Sequence, residues 1–237
     1  MILPMDNAVY EPEFYDLRLR GVASYTVRLA TKVRAEMPTA GIEASAVFNE
    51  TAVDVIGYGC AETSFLDGQD ANVAISTGIT ERTGLPAVTA TEAMLEALRA
   101  LDVDSVAVAA PYRAASATAL ETYLERGGVQ VVGMESQDFS EGSSDPREWY
   151  ATNLQPPSTA YRMARRADSP RADAVLIAAT NLRSLEVIAD LEADLAKPVV
   201  STNSALLWAL LGRCGVRVDD ALPGRLAERE LPGGGDT

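Results

Sequence analysis

Two runs of sequence decide the fold: VDVIGYGC at positions 53–60 and DAVLIAAT at positions 173–180. Each is a short apolar run, rich in β-branched residues, that stops at small residues and is followed by polar residues suited to start a helix. The runs lie about half the chain apart, which predicts a strand–turn–helix unit that occurs twice. Cys60 ends the first run, and Ala179 has the matching place in the second. We expect the two strand ends to face each other across a cleft.

The rest of the chain alternates short apolar runs with stretches of helical periodicity. The predicted strands are 2–4, 25–29, 53–59, 87–89, 105–109, 129–134, 174–178 and 199–201. The predicted helices are 91–101, with Thr91 as N-cap, 115–126, 158–166, 182–195 and 204–213. Residues 142–146 and 156–157 are predicted loops, and 231–237 a frayed tail. This alternation predicts an α/β protein whose parallel sheets bind ligands beyond the carboxyl ends of their strands.

The composition excludes several classes of protein. A chain of 237 residues with 47% hydrophobic content can bury a large core. No apolar run approaches the roughly 20 residues that a membrane span needs, and no signal peptide is apparent, so we expect a cytoplasmic protein with no membrane partner. A net charge of −14 argues against nucleic acid as a partner. The acidic, lysine-poor sequence fits a salt-loving source as well as a GC-rich genome.

The absence of histidine restricts the chemistry further. It removes Ser-His-Asp and Cys-His catalysis and the commonest transition-metal ligand. The two cysteines are far apart and form neither a disulfide framework nor a CxxC metal site. We therefore expect no metal, and any acid–base chemistry falls to Cys, Asp, Glu, Tyr or Lys.

The two cysteines are predicted to differ in reactivity. Cys60 ends a strand and precedes a helix N-terminus, which stabilises a thiolate and lowers the thiol pKa, so it should be the reactive thiol. Cys214 lies late in an apolar helix, just before Gly215. We expect Cys214 to fill the core and to be protected from reagents.

Uncharged polar residues also follow several predicted strands. Asn7, Tyr112 and Asn203 each come after a strand, and each alone suits a helix cap or a loop. Together with Cys60 and the Thr180–Asn181 pair, they would ring one cleft with hydrogen-bond donors. Such donors, with backbone N–H groups at helix starts, suit a carboxylate without Arg or Lys.

These motifs resemble the aspartate/glutamate/hydantoin racemase superfamily, and within it the maleate cis–trans isomerase and arylmalonate decarboxylase branch. The likeness covers nearly the whole chain. The matching runs are PMDN at 4–7, EPEF at 11–14, YGCAETSF at 58–65, APY at 110–112, AATNLR at 178–183 and PVVSTN at 198–203, with Trp208. The resemblance implies two flavodoxin-like lobes, each a parallel sheet flanked by helices. One lobe, 1–90 plus 203–237, would carry Cys60, and the other, 91–202, would carry Ala179.

The resemblance also implies chemistry on a small carboxylate or dicarboxylate without a cofactor. Members with two thiols use one on each face of the substrate, and here Ala179 replaces the second. The first cysteine, the nucleophile of the isomerases, is retained as Cys60, so isomerisation of maleate through an enediolate is the leading expectation. Decarboxylation of a substituted malonate is the alternative, although decarboxylase relatives place their single cysteine at the second position. Racemisation ranks third, and a carboxylate-binding protein without catalysis is the rival from another class.

The resemblance assigns a set of residues to the site. The expected substrate-binding residues are Asn7, Ala61, Thr63, Tyr112, Thr180, Asn181 and Asn203. Glu62 departs from the pattern: its carboxylate would either repel a dianionic substrate or serve as an acid in place of the missing thiol. Assembly into a homo-oligomer stays open.

Overall fold

The duplication seen in the sequence appears as two parallel sheets in the computed structural model, which describes residues 1–141, 150–216 and 221–230. The first sheet has the order β2-β1-β3-β4, with β1 Ile2–Leu3, β2 Val27–Arg28, β3 Ile56–Tyr58 and β4 Ala87–Thr89. The second has the order β6-β5-β7-β8, with β5 Ser105–Ala110, β6 Gln130–Ser136, β7 Ala174–Ile177 and β8 Val199–Ser201. The same order in both sheets confirms the repeated unit. The predicted loop at 142–146 and tail at 231–237 lie outside the described residues.

Helices flank both sheets. They are α1 Tyr10–Asp16, α2 Met37–Ala44, α3 Ala61–Phe65, α4 Gly68–Thr83, α5 Ala90–Ala100, α6 Ala114–Arg126, α7 Pro157–Ala167, α8 Ile188–Leu195 and α9 Thr202–Arg213. Short 3₁₀ segments lie at Arg34–Glu36, Ser45–Glu50, Leu185–Val187 and Arg225–Glu228. Among the described residues, we find no helix with the length and apolarity to traverse a bilayer.

The chain passes directly from strand to helix after β4 and after β8, because a capping box starts the helix that follows. At α5, Thr89 accepts a hydrogen bond from the N–H of Glu92 at 3.1 Å and donates its own N–H to that side chain at 2.8 Å. At α9, Ser201 and Ser204 make the equivalent pair of bonds. The N-cap predicted at Thr91 is therefore wrong by two residues. The helices α5 and α9 pack against each other.

Two further predictions about helices are corrected by the structure. The helix predicted from residue 182 begins only at Ile188, because Glu13 of α1 accepts hydrogen bonds from the N–H groups of Ser184 and Leu185 and holds them in a turn. Pro157, predicted to lie in a loop, is the first residue of α7, where its missing N–H costs nothing.

One buried cluster joins the two halves of the molecule. It includes Leu3 of the first sheet, Leu176 of the second, and Leu98 and Leu206 of the helices between them. The helix α9 contacts β3 and β4 of the first sheet as well as β8. The division into lobes 1–90 plus 203–237 and 91–202 stays a prediction.

Candidate functional site

Loops that follow strands of both sheets enclose a cavity of about 490 Å³. Cys60 follows β3 and Ala179 follows β7, and both line this cavity, as the predicted cleft requires. The predicted residues Asn7, Ala61, Glu62, Thr63, Tyr112, Thr180 and Asn181 also line it. The other lining residues are Pro4, Met5, Asp6, Thr31, Lys32, Arg34, Met37, Pro111, Arg113, Asp138, Ser140 and Thr152.

Cys60 is held at the end of β3 by close packing of the strand. The N–H of Gly59 donates to the carbonyl of Ile2 at 2.8 Å, which joins β3 to β1. A Cβ at Gly59 would lie 2.4 Å from Leu3 Cδ2, so any side chain there would displace the packed Leu3. Cys60 then serves as the N-cap of α3 in extended conformation, and its residue is only 8% exposed.

The environment of Cys60 raises its pKa to about 11. Burial is the main cause, the hydroxyl and N–H of Thr63 oppose it, and the negative charges of Glu62 and Asp6 add to it. The expected lowering of the pKa by a helix N-terminus is therefore wrong. The helix α3 spans only five residues, and desolvation of the thiolate outweighs its weak dipole. The thiol is protonated at neutral pH.

Cys214 is exposed, so the prediction that it fills the core is wrong. The helix α9 ends at Arg213, and Cys214 is its C-cap, with an N–H that donates to the carbonyls of Leu210 and Leu211. The buried run of α9 therefore ends at Gly212, two residues before this cysteine, and the thiol lies outside the cavity lining.

Asn7 and Asn203 both bind Thr180. The Asn7 side-chain N–H group donates to the carbonyl and hydroxyl oxygens of Thr180 at 3.2 and 3.1 Å, while Asn203 donates to the same carbonyl at 3.1 Å. Thr180 in turn donates to the carbonyl of Gly59 at 2.9 Å, which ties the β7 loop to the β3 loop. Asn203 is fully buried and lies outside the cavity lining, so the structure makes it a support of Thr180 instead of a substrate contact.

Three cations line the cavity, which corrects the expectation of an uncharged ring. They are Lys32, Arg34 and Arg113. Sequence reasoning missed Lys32 and Arg34 because they lie between β2 and α2, where no motif marks them. The only signal was the rarity of lysine, since Lys32 is one of two in the chain.

Glu62 is bound by groups from both halves of the site. Its Oε2 lies 2.9 Å from Arg34 Nε, and its Oε1 accepts a hydrogen bond of 2.6 Å from Ser116 of α6. Because Arg34 offsets its charge, Glu62 repels an anionic ligand less than an isolated carboxylate would. Its predicted role as an acid stays a prediction.

Tyr112 is positioned as a neutral donor. Its ring meets the Phe65 ring edge-on, with centroids 5.6 Å apart. Burial raises the pKa of its hydroxyl well above the usual value, so the proton stays on the oxygen. Within the described ranges, no group of three or more Cys, Asp or Glu side chains could hold a metal ion.

Comparison with known proteins identifies the family of the chain. A family model described as arylmalonate decarboxylase matches residues 39–227. The chain belongs to this family. It is 31% identical to an arylmalonate decarboxylase of Bordetella bronchiseptica over 145 residues, which cover 61% of this chain and 58% of that protein. It is 23% identical to a maleate isomerase of Pseudomonas putida over 169 residues, which cover 69% of the chain and 65% of that protein. The matches thus span less than two thirds of each relative.

Solved structures of relatives share the fold over nearly their whole length. A cysteine-to-alanine variant of the maleate isomerase Iso from Pseudomonas putida, solved with maleate, superimposes with a TM-score of 0.84 at 22% identity, covering 96% of each chain. A cysteine-to-serine variant of the Nocardia farcinica maleate cis–trans isomerase, solved with a covalently bound succinylcysteine intermediate, gives 0.84 at 23% identity, covering 95% of this chain and 96% of that one. These likenesses confirm the two-lobed α/β fold.

Proposed function

We propose that this protein is a cofactor-independent isomerase that interconverts the cis and trans forms of a small unsaturated dicarboxylate, with maleate as the model substrate. The observation that carries the proposal is the position of Cys60, the cavity's one cysteine, at the end of β3. The succinylcysteine in the Nocardia farcinica relative is the adduct expected when a thiol adds to a four-carbon unsaturated diacid.

The cavity offers matching groups for a dianion. Lys32 adds positive charge, Arg34 and Arg113 offset the lining carboxylates Glu62 and Asp138, and Tyr112 provides a neutral hydroxyl. The first N–H groups of α3, after Cys60, have no partners within the helix and point toward its N-terminal end. Donors fixed in advance around a carboxylate stabilise the enediolate that forms when charge moves onto it.

The reaction needs one thiol and leaves the atomic composition of the substrate unchanged. The Cys60 thiol first loses its proton to solvent, so the reactive form is the thiolate, whose fraction rises with pH because the thiol pKa is about 11. The sulfur then bonds to one alkene carbon, and the π electrons move into the adjacent carboxylate as an enediolate. Rotation about the new single bond precedes return of the electrons, cleavage of the C–S bond and reprotonation of the thiolate.

A second reaction, decarboxylation of a substituted malonate, is favoured by the protonation state of Cys60. Burial raises the pKa of the thiol to about 11, which keeps it in the form that donates a proton. In this reaction CO2 leaves, the bonding electrons form the enediolate, and Cys60 protonates the carbon before it regains a proton from water. Racemisation needs a proton-exchanging group on the other face, where Ala179 has none.

The dependence of turnover on pH separates the two reactions. We expect wild-type protein to convert maleate into fumarate. The rate should rise about tenfold per pH unit below the thiol pKa of about 11, because the fraction of Cys60 present as thiolate rises by the same factor. Decarboxylation by the protonated thiol would instead be flat over pH 6–10. The assay uses maleate, substituted malonates and single enantiomers of aspartate, each at low and high salt.

Two variants control this assay. Cys60→Ser should abolish turnover, and Cys214→Ser should leave it unchanged because Cys214 lies outside the cavity lining. Racemised aspartate would overturn the proposal. Dicarboxylates that raise the melting temperature but never react would show a binding protein instead of an enzyme.

A further inference from the structure

Glu62 has no role in the proposed reaction, although it lines the cavity. It lies in the first turn of α3, close after Cys60 in the chain. The proposed reaction uses groups that donate hydrogen bonds to the carboxylates of the substrate, and an ionised carboxylate only accepts them. Glu62 therefore suits a different part of the ligand.

Glu62 is held in the cavity wall by two separate elements. Arg34 Nε lies 2.9 Å from its Oε2, and Ser116 of α6 donates to its Oε1 at 2.6 Å. Only 18% of the Glu62 side chain is exposed, so it does not extend freely into solvent. A ligand in the cavity therefore meets this carboxylate in a fixed position.

Glu62 keeps the capacity to accept further hydrogen bonds. The two oxygens of a carboxylate have about four lone-pair sites in all. Within the described part of the chain, each oxygen of Glu62 has one donor, Arg34 for Oε2 and Ser116 for Oε1. A ligand group that uses the remaining sites must itself be a donor, such as a hydroxyl, amide or ammonium group.

The charges of the lining make Glu62 costly to an unsubstituted diacid. Asp6, Glu62 and Asp138 line the cavity together with three cations, so the formal charges of the lining cancel. Arg34 lies against Glu62, and Arg113 lies 2.8 Å from Asp138. An unsubstituted diacid is repelled by Glu62 and gains no bond from it. A donor substituent would instead form a hydrogen bond to a charged group, which is stronger than a neutral one.

The cavity has room for a substituent. Its volume of about 490 Å³ lies in the range of sites that accommodate drug-sized ligands. A four-carbon diacid occupies only part of such a volume, so a larger relative of maleate fits as well.

We propose that Glu62 determines specificity: the preferred substrate is a dicarboxylate with an additional hydrogen-bond donor, which Glu62 accepts. Arg34 and Ser116 orient the accepting oxygens. This proposal rests on the proposed isomerase function, because it narrows the substrate class of the same site from maleate to an unsaturated diacid with a hydroxyl, amide or ammonium substituent.

Binding of unreactive diacids tests the proposal without turnover. All proteins carry Cys60→Ser, and calorimetry at neutral pH compares malate with methylsuccinate, which has a methyl group in place of the hydroxyl. The two diacids have the same charge and nearly the same size, so the ratio of their affinities isolates the donor. We expect malate to bind about tenfold to a hundredfold more tightly, the scale of a hydrogen bond to a charged group. Aspartate, with an ammonium group at that position, identifies which donor binds more tightly.

Two further variants connect this preference to Glu62. Glu62→Gln should reduce the preference for malate to about threefold or less, because a neutral acceptor forms a weaker bond. Methylsuccinate should bind to Glu62→Gln at least as tightly as before, which shows that the site is intact. Glu96→Gln is the matched control: it removes a carboxylate that Arg213 holds at 2.7 Å outside the cavity lining, and it should leave both affinities unchanged.

Several results would overturn the proposal. They are equal affinities for malate, aspartate and methylsuccinate, a preference for the donor that persists in full in Glu62→Gln, and the absence of binding by all three diacids. Failure of the isomerase proposal would appear separately, as the absence of turnover by wild-type protein while the Glu62-dependent preference for the donor remains.

Discussion

At the scale of single residues, Ala179 is under backbone strain. Its φ is 102°, in the region that glycine adopts readily and that costs other residues about 1–2 kcal/mol. The surrounding bonds hold it there: its N–H donates to Thr202 at 3.0 Å, and the next residue, Thr180, is bound by Asn7 and to Gly59. The strained residue is thus part of the cavity wall.

Relief of this strain should be measurable. We expect Ala179→Gly to raise the free energy of unfolding by about 0.5–1 kcal/mol, because relief of the strain exceeds the added entropy of an unfolded glycine. Urea unfolding measures the change. Ala178→Gly is the matched control. Ala178 is buried next to Ala179 and has no positive φ, so replacing it by glycine should lower the free energy of unfolding by about 1 kcal/mol. Equal destabilisation by both changes would show that Ala179 is unstrained.

The two cysteines should react in the reverse of the order that the sequence predicts. Cys214 is exposed, whereas Cys60 is 8% exposed with its pKa raised to about 11. Brief treatment of native protein with iodoacetamide at pH 8, followed by peptide mapping, should therefore find the label on Cys214. Full unfolding in urea should make the two sites label alike. Faster native labelling of Cys60 would mean that a cation near the cavity stabilises its thiolate more than burial disfavours it.

At the scale of elements, most strands were predictable because they are buried apolar runs that end at small or polar residues, whereas β2 and β6 are only half-buried. All eight predicted strands are present, and Cys60, Tyr112 and Thr180 were recognised because they follow strands. The helices α1, α2 and α4 were not predicted. The helix α4 shows why, since it buries Asn72 and Ser76 together with Ile75 and Ile79 and so has no purely apolar stripe.

The chemistry of the site was less predictable than its position. The pKa of Cys60 depends on how deeply β3 is buried, and the roles of Asn7 and Asn203 depend on Thr180, far along the chain from Asn7. A single sequence shows neither the depth at which a strand is buried nor contacts between residues far apart in the chain. It also hides Arg34, which meets Glu62 only when the segment after β2 folds over the cavity.

The helix α1 shows how an element positions the site. Buried Glu13 accepts hydrogen bonds from the N–H groups of Ser184 and Leu185 at 2.6 and 2.9 Å and from Asn203 at 2.5 Å. It thereby fixes the segment that follows Ala179, Thr180 and Asn181. A change at Glu13 should move the cavity wall as well as weaken the fold.

Glu13→Gln should lower the free energy of unfolding by about 1–3 kcal/mol. The new amide N–H₂ group would face the N–H donors that the carboxylate binds, and those buried donors would lose their acceptor. Denaturant unfolding gives the magnitude. Glu11→Gln is the control on the same helix: it removes a partly exposed ion pair with Arg28 and should cost about 0–1 kcal/mol. If the two changes cost the same, Glu13 does not support the segment after β7.

At the scale of the whole molecule, the two sheets share one core. The buried cluster runs from β1 and β4 through α5 and α9 to β5 and β7. Hydrogen bonds from Asn7 and Thr180 join the two halves again at the cavity. The site therefore requires both halves in their native arrangement, and the predicted lobes should not unfold independently.

Substitution of one residue in the shared core tests this cooperativity. Leu206 of α9 is fully buried, and Leu206→Ala should destabilise by about 2–5 kcal/mol. Far-ultraviolet circular dichroism reports the helices of both halves, and pulse alkylation in the Cys214→Ser background reports the exposure of Cys60. We expect Leu206→Ala to lower the urea midpoints from both measurements by the same amount. Leu154→Ala, at an exposed leucine, should move neither midpoint appreciably. If Leu206→Ala separates the two midpoints, the halves unfold in succession, and the cavity would be lost before the second sheet.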